Sequence, residues 1–330
     1  MHTKRIASML SLLIVLAMVL AACAQATPTA APAQTQAPAA TQAPAATQAP
    51  AATQAPAATQ APAATQAPAA TQAPAATGKI KLGFLAGVAD PFYFTMQRGA
   101  QQAAADLGVE LVTQIPKTWN TTDQTPILDA LVARGDLKLL FLAPVDKEAM
   151  IAPLQKANDA GLPIITVDTF IGDGDYVNGP VKFPLSFIAS DNKQGGVIAC
   201  NALAEAIGKK GKVYVQNVKP GISSTDAREE GCKEALKSYP DVQLVGVDYN
   251  DDDPSKAQAQ VEAMLQKNAD LAGIFGTNVF SAQGAGQVVQ KKGLSGKVKV
   301  VAFDATETAI EMLKGNTVDM VIAQKPSDMG

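Results

Sequence analysis

From Lys79 onward, ten short apolar runs alternate with stretches whose apolar residues recur at helical spacing. Strands separated by helices cannot be joined by hairpins, so the pattern predicts parallel sheets covered by helices on both faces. Strands are expected at 79–85, 110–113, 137–142, 163–167 and 185–189, with helices over 91–107, 124–133 and 147–160. The scheme then repeats, with strands at 212–216, 242–247, 272–275, 298–303 and 318–323 and helices opening near Lys193, Ser224, Pro254, Val279 and Thr306. Between the halves lies Ser186-Phe187-Ile188-Ala189-Ser190-Asp191-Asn192-Lys193-Gln194-Gly195-Gly196. Phe187 to Ala189 are apolar enough for a buried strand, and Ser190 or Asp191 can cap the helix that follows. The expected fold class is therefore α/β: two doubly wound parallel-sheet lobes, 79–189 and 190–324, joined by a hinge and separated by a cleft.

Doubly wound sheets bind ligands beyond the carboxyl ends of their strands. The polar residues expected at those ends are Asp90, Asp168, Asn278, Asp304 and Gln324. Carboxylates accept hydrogen bonds from adjacent hydroxyls, a guanidinium donates to two oxygens at once, amides do both, and aromatic faces cover the C–H surface of a sugar ring. Capture of a hydroxylated small molecule suits this set.

Catalysis is a poorer match. The only histidine is His2, in the leader described below, so Ser-His-Asp and Cys-His arrangements and histidine metal sites are excluded. Neither a Cys-x-x-Cys pair nor a phosphate-binding Gly-x-x-x-x-Gly-Lys-Ser/Thr loop occurs, and Gly284-Ala285-Gly286 falls inside a helical stretch with no third glycine at dinucleotide-binding spacing. Carboxylate-only glycoside hydrolysis is the one enzymatic alternative. The chain is read as a binding protein rather than an enzyme, with no cofactor and no metal.

Ahead of the lobes stand two segments that build no core. Lys4 and Arg5, the apolar run 6–19 and Leu20-Ala21-Ala22-Cys23 read as a signal peptide, too short in its apolar part for a bilayer span. Small residues directly before a cysteine resemble the lipobox of bacterial lipoproteins, which would make Cys23 the lipidated first residue of the mature chain; an ordinary cleaved signal with an incidental cysteine is the other reading. Over 35–76 the hexapeptide Thr-Gln-Ala-Pro-Ala-Ala occurs seven times in succession. Uncharged and interrupted by proline at every sixth position, residues 24–78 are expected to be a disordered tether whose ends average about 40 Å apart. Its threonines are candidates for O-glycosylation, with an unmodified spacer as the alternative. The chain has 27 basic against 30 acidic residues, and loss of Lys4 and Arg5 with the leader makes the balance more negative, which argues against nucleic acid. Cys200 and Cys232 lie on two predicted helices of the second lobe, where they either pair or remain two buried thiols.

Six ordered motifs carry a specific resemblance. They are Asp90-Pro91-Phe92-Tyr93, Ile165-Thr166-Val167-Asp168, Ala189-Ser190-Asp191-Asn192 with Gly195-Gly196, Thr225-Asp226-Ala227-Arg228-Glu229-Glu230-Gly231, Val301-Ala302-Phe303-Asp304 and Ile322-Ala323-Gln324-Lys325-Pro326. In order and spacing, residues 79–330 resemble the ribose-binding-type periplasmic proteins. This implies a monomeric, lipid-anchored solute-binding protein outside the cytoplasm that closes on a sugar and presents it to the permease of a carbohydrate ABC importer. A sensor of the same fold serving a chemoreceptor or kinase, and a secreted carbohydrate-active enzyme, are the alternatives.

By position, the resemblance makes Phe92 and Tyr93 the aromatic pair that stacks on the sugar and Asp168 the first-lobe acid that binds hydroxyls. Arg228, Asn278, Asp304 and Gln324 become the hydrogen-bonding set of the second lobe and hinge. Asp90 stands where ribose binders carry an amide, Thr169 where they carry an arginine and Ala143 where they carry an asparagine, which counts against ribose itself. Tyr249 falls near a further family aromatic, beside the acidic loop Asp251-Asp252-Asp253. Trp119 is expected either to border the cleft or to anchor packing. Replacing Arg228 by alanine is expected to weaken binding and leave folding nearly unaffected. Family members cross the hinge a third time, so 325–330 reads as the start of a return segment in a sequence that stops short.

Overall fold

The computed structural model describes residues 78–330; the leader, Cys23 and the repeats lie outside the described residues. The first sheet holds β1 (Lys81–Leu85), β2 (Glu110–Gln114), β3 (Leu137–Leu142), β4 (Ile164–Val167) and β5 (Ser186–Ile188) in the order β2-β1-β3-β4-β5. The second holds β6 (Gly211–Asn217), β7 (Val242–Tyr249), β8 (Leu271–Gly276), β9 (Lys299–Phe303) and β10 (Met320–Ile322) in the order β10-β9-β8-β6-β7. Every pairing is parallel. Read from the other edge, the second order repeats the first, so β4 and β9 are equivalent strands.

Around the first sheet run α1 (Pro91–Leu107), α2 (Thr121–Arg134) and α3 (Ile151–Asp159). The second is covered by α4 (Asn192–Ala206), α5 (Ser223–Leu236), α6 (Pro254–Lys267), α7 (Val279–Lys291) and α8 (Glu307–Lys314). A short α9 (Pro326–Met329) follows β10 and returns to lie against α1, where a Cβ on Gly99 would come within 2.0 Å of the Ser327 carbonyl oxygen. Helix starts obey local chemistry. Asp90 caps α1 ahead of Pro91, Asp191 caps α4 by accepting the Gln194 N–H at 2.9 Å, and Asn278 caps α7.

Two expectations are corrected. The helix expected from Lys147 begins at Ile151, because the Asp146 carboxylate takes the N–H groups of Glu148 and Ala149 into a turn while the Lys147 N–H donates across the cleft to Gly221 O at 2.8 Å. The crossing strand β5 is an edge strand rather than a buried one. It pairs only with β4 among the described strands, and Leu185 and Ile188 are exposed.

The first-lobe core is built on Phe84, Leu85, Leu140, Leu142 and Ile164, and the second on Val213, Val215, Ile274, Phe275 and Phe303. Each such side chain contributes about 1.5–3 kcal/mol by its burial. In the second lobe α4 and α5 touch backbone to backbone. A Cβ on Gly196 would lie 2.0 Å from Arg228 O, one on Gly231 2.0 Å from Lys193 O, and one on Gly195 would enter the Phe303 ring. Cys200 and Cys232 are disulfide-bonded across the same seam, with Cα atoms 5.0 Å apart.

Candidate functional site

Asp168 and Asp304 follow the equivalent strands β4 and β9, and both hold left-handed backbone angles, φ 60° and 77°. Each donates its backbone N–H to the neighbouring strand, Asp168 to Ile188 O at 2.8 Å and Asp304 to Ile322 O at 2.9 Å. The conformation turns the chain sharply off the sheet, and a short polar residue tolerates it better than most. Two buried carboxylates, 3% and 5% exposed, are thereby brought to one cavity from opposite lobes. Asp90, Phe92, Tyr93, Trp119, Arg228 and Asn278 line it with them.

The first-lobe side is tightly cross-braced. Tyr93 donates its hydroxyl to Asp168 Oδ2 at 2.7 Å, with Phe92 edge-on at 5.1 Å and Trp119 tilted at 5.8 Å between ring centroids. Phe92 and Tyr93 belong to the buried first-lobe core and also line the cavity, where Tyr93 orients the acid. Asp90 accepts the Tyr93 N–H at 2.8 Å through Oδ1, so it is both helix cap and cavity wall. Thr169 is turned away, donating its hydroxyl to Pro144 O at 2.8 Å, and Ala143 is fully buried.

On the second lobe Arg228 is 3% exposed. Its Nε donates to Asn192 Oδ1 and one terminal nitrogen to Thr277 O, both at 2.9 Å; Asp304 lies 3.9 Å away and the guanidinium sits 4.0 Å over the Phe303 ring. That environment overturns the expectation that Arg228→Ala leaves folding intact. Removing the side chain would unpair Asn192 and the Thr277 carbonyl and strip the face of Phe303. Gln324 donates to Asp304 Oδ1, and both line a second cavity of about 380 Å³ toward the hinge that shares Phe92 with the first.

Asp252 was not singled out in the sequence. Its Oδ1 accepts from Asn278 Nδ2 at 2.6 Å and its Oδ2 from Trp119 Nε1 at 3.2 Å, so it links the two lobes and holds a site residue. Nothing in the sequence marks it within Asp251-Asp252-Asp253; in the loop, where Asp251 and Asp252 hold left-handed angles of φ 55° and 66°, Asp252 is half-buried and its two neighbours are exposed. Asn192 was likewise quoted only as part of a motif. Tyr249 points elsewhere, bonding Glu229 Oε2 at 3.3 Å.

Burial controls the electrostatics. It raises Asp168 to about 6 against the lowering effect of the Arg228 guanidinium and the Tyr93 hydroxyl, and raises Asp252 to about 6 against hydrogen bonds from Asn278 and Trp119. Asp304 is raised by burial, opposed by Arg228 and by Gln324. Among the described buried side-chain atoms, two acceptors have no hydrogen-bond partner: Asp168 Oδ1 and Gln324 Oε1. Such atoms are costly unless a ligand donates to them.

Further bonds cross the cleft directly. Lys147 Nζ pairs with Asp226 at 2.9 Å, Phe170 N–H donates to Ser223 Oγ at 2.8 Å, and Lys219 Nζ donates to Trp119 O. The lobes are closed on one another.

Residues 82–330 match the family model described as a periplasmic binding protein domain. The ribose import binding protein of Haemophilus influenzae is 30% identical over 241 residues, 73% of this chain and 78% of that one. An ABC transporter solute-binding protein of Agrobacterium vitis, solved with α-D-tagatopyranose, is 46% identical with a TM-score of 0.74, covering 76% of this chain and 85% of that one. A periplasmic solute-binding protein of Actinobacillus succinogenes, solved with D-allose, is 29% identical with a TM-score of 0.69 over 76% and 87%. These relatives bind and transport sugars; they are not enzymes.

Proposed function

The chain belongs to the periplasmic binding protein domain family, and on that premise we propose that it captures a neutral sugar or polyol between its lobes and delivers it to an ABC importer outside the cytoplasm. The observation that carries the reading is a pair of buried, partnerless acceptors in two cavities that share Phe92 and Asp304: Asp168 Oδ1 in the one walled by Phe92, Tyr93 and Trp119, and Gln324 Oε1 in the one toward the hinge. Acceptors of this kind call for hydroxyl donors, and the aromatic walls suit a ring's C–H surface. Asp90, Asp168 and Asp304 in the inner cavity, with Asp252 bonded to its Asn278 and Trp119, outnumber the Arg228 cation that lines it and disfavour a carboxylate or phosphate ligand. Closure follows from contacts made on both lobes at once, which a ligand stabilises only in the closed form.

Attachment to the membrane through a lipid on Cys23 belongs to the same reading, supported by Leu20-Ala21-Ala22-Cys23. A diacylglycerol and an N-acyl chain on that one residue would hold the protein stably.

The test is a thermal-shift and fluorescence panel on the full chain with D-ribose, D-allose, D-tagatose, myo-inositol and their phosphates. A ligand at 100 times its Kd should add about 2.7 kcal/mol of stability. Trp119 is the chain's only tryptophan and lies on the cleft, so the same ligand should change its emission. Stabilisation by sugar phosphates in preference to sugars, or by none of the panel, would remove the reading.

A further inference from the structure

Asp90 is 5% exposed and lies at the start of α1, where its Oδ1 is used by the helix-capping N–H of Tyr93. Its other oxygen, Oδ2, takes no part in the cap. The charges that act on it come from three other elements and have one sign: Asp252 in the loop after β7, Asp304 after β9 and Asp168 after β4. The cavity's guanidinium, Arg228 on α5, is spent elsewhere, on Asn192, on the Thr277 carbonyl and on Asp304. The Tyr93 hydroxyl is committed to Asp168. An ionised Asp90 would join three other acids about an inner cavity that Arg228 lines as its cation, an arrangement that like charges and burial both oppose. Burial and those three acids accordingly push its carboxyl well above the ordinary range, against the single Tyr93 N–H.

We propose that Asp90 works as a neutral carboxylic acid, accepting the cap of α1 through Oδ1 and donating the proton on Oδ2 to an oxygen of the bound sugar, so that ligand capture takes up one proton from solvent. The inference rests on the sugar-binding reading and adds to it a specificity-determining donor. With Asp168 Oδ1 as an acceptor in the same cavity, the site then offers a polyol both halves of a hydroxyl's hydrogen-bonding capacity. The sign of the pH effect follows. A carboxyl whose pKa is higher in the closed, liganded form than in the open form favours binding at low pH, and affinity falls as pH rises between the two values.

The experiment is calorimetry on the full chain with whichever of D-ribose, D-allose and D-tagatose binds tightest, from pH 5.5 to 8.5 in buffers of differing ionisation enthalpy. Asp90→Asn is the decisive variant, because its amide keeps the capping acceptor and supplies an N–H donor without a titrating group. It should bind at pH 5.5 within about threefold of wild type, take up about one proton fewer and lose up to tenfold per pH unit less affinity over the titrating window. Asp168, Asp252 and Asp304 are present in both proteins, so the difference between the two reports on Asp90. Asp90→Ser keeps a capping oxygen but is too short to reach as Asp90 does; it should fold with an unchanged circular dichroism spectrum and bind at least tenfold more weakly at every pH. Identical proton uptake in wild type and Asp90→Asn, or loss of binding by Asp90→Asn throughout, would overturn the donor role while leaving sugar binding intact. Failure of wild type to bind any of the three sugars at any pH would remove both.

Discussion

Asp168 concentrates the conflict between stability and function in one side chain. Its carboxyl is buried, raised to about 6 and left with one oxygen unpaired. An acid whose pKa is higher folded than unfolded costs stability when it ionises, so the penalty grows as pH climbs from about 4 to about 6 and is complete above that. Asp168→Asn removes the charge while keeping an acceptor for Tyr93 and a residue tolerant of φ 60°. Stability should rise by up to about 3 kcal/mol at pH 7 to 8 and be nearly unchanged near pH 4, while sugar affinity falls 10- to 100-fold. Denaturation curves across that pH range, with calorimetry at pH 7, check both halves; an equal gain at both pH extremes would show that the charge is not the cause. Asp168 and Asp304 stood out in the sequence as acids at strand ends, whereas Arg228, on a helix where an arginine is often a surface ion pair, stood out only through the family resemblance of Thr-Asp-Ala-Arg. Asp252 did not, since its role depends on a loop angle that no residue type dictates.

At the scale of elements, the seam between α4 and α5 fixes where Arg228 stands. Gly195, Gly196 and Gly231 let two backbones approach, and the Cys200–Cys232 disulfide ties the helices one turn further along α4. Gly196→Ala would drive a Cβ into the Arg228 carbonyl at 2.0 Å, a contact with backbone that no rotamer change relieves. Displacement of α5 should cost about 1–3 kcal/mol and weaken sugar binding at least tenfold, because Arg228 moves with its helix. Melting temperature and Kd read the two effects, and a variant with normal affinity would mean that the seam can open without moving the guanidinium. Element positions were largely legible from periodicity and caps, as at Asp90-Pro91 for α1. The start of α3 was not, because the turn at Asp146 is stabilised partly by Gly221 on the other lobe.

For the whole molecule, the relation between the lobes and the relation to the membrane are separate questions. The first is set by direct contacts across the cleft, from Lys147–Asp226 on one side to Trp119–Asp252 on the other. The second, on the lipoprotein reading proposed above, depends on Cys23. Cys23→Ser should release the protein from the membrane fraction or stall its processing; a processed, unlipidated variant that still sediments with membranes would refute lipid anchoring.

The alternation of apolar runs and helical stretches by itself determined a parallel α/β fold repeated twice, since period-2 and period-3.6 patterns admit few other architectures. The absence of histidine after His2 likewise settled which chemistries the lobes lack the residues to perform. Only the tertiary structure decided which polar groups meet. Asp252 joins Trp119 from a distance of 133 residues, Tyr93 holds Asp168 across 75, and Arg228 is walled in by Asn192, Thr277 and Phe303 rather than free at a surface. Hydrogen bonds and desolvation act between groups that folding brings within a few ångströms, and one-dimensional spacing carries little of that information.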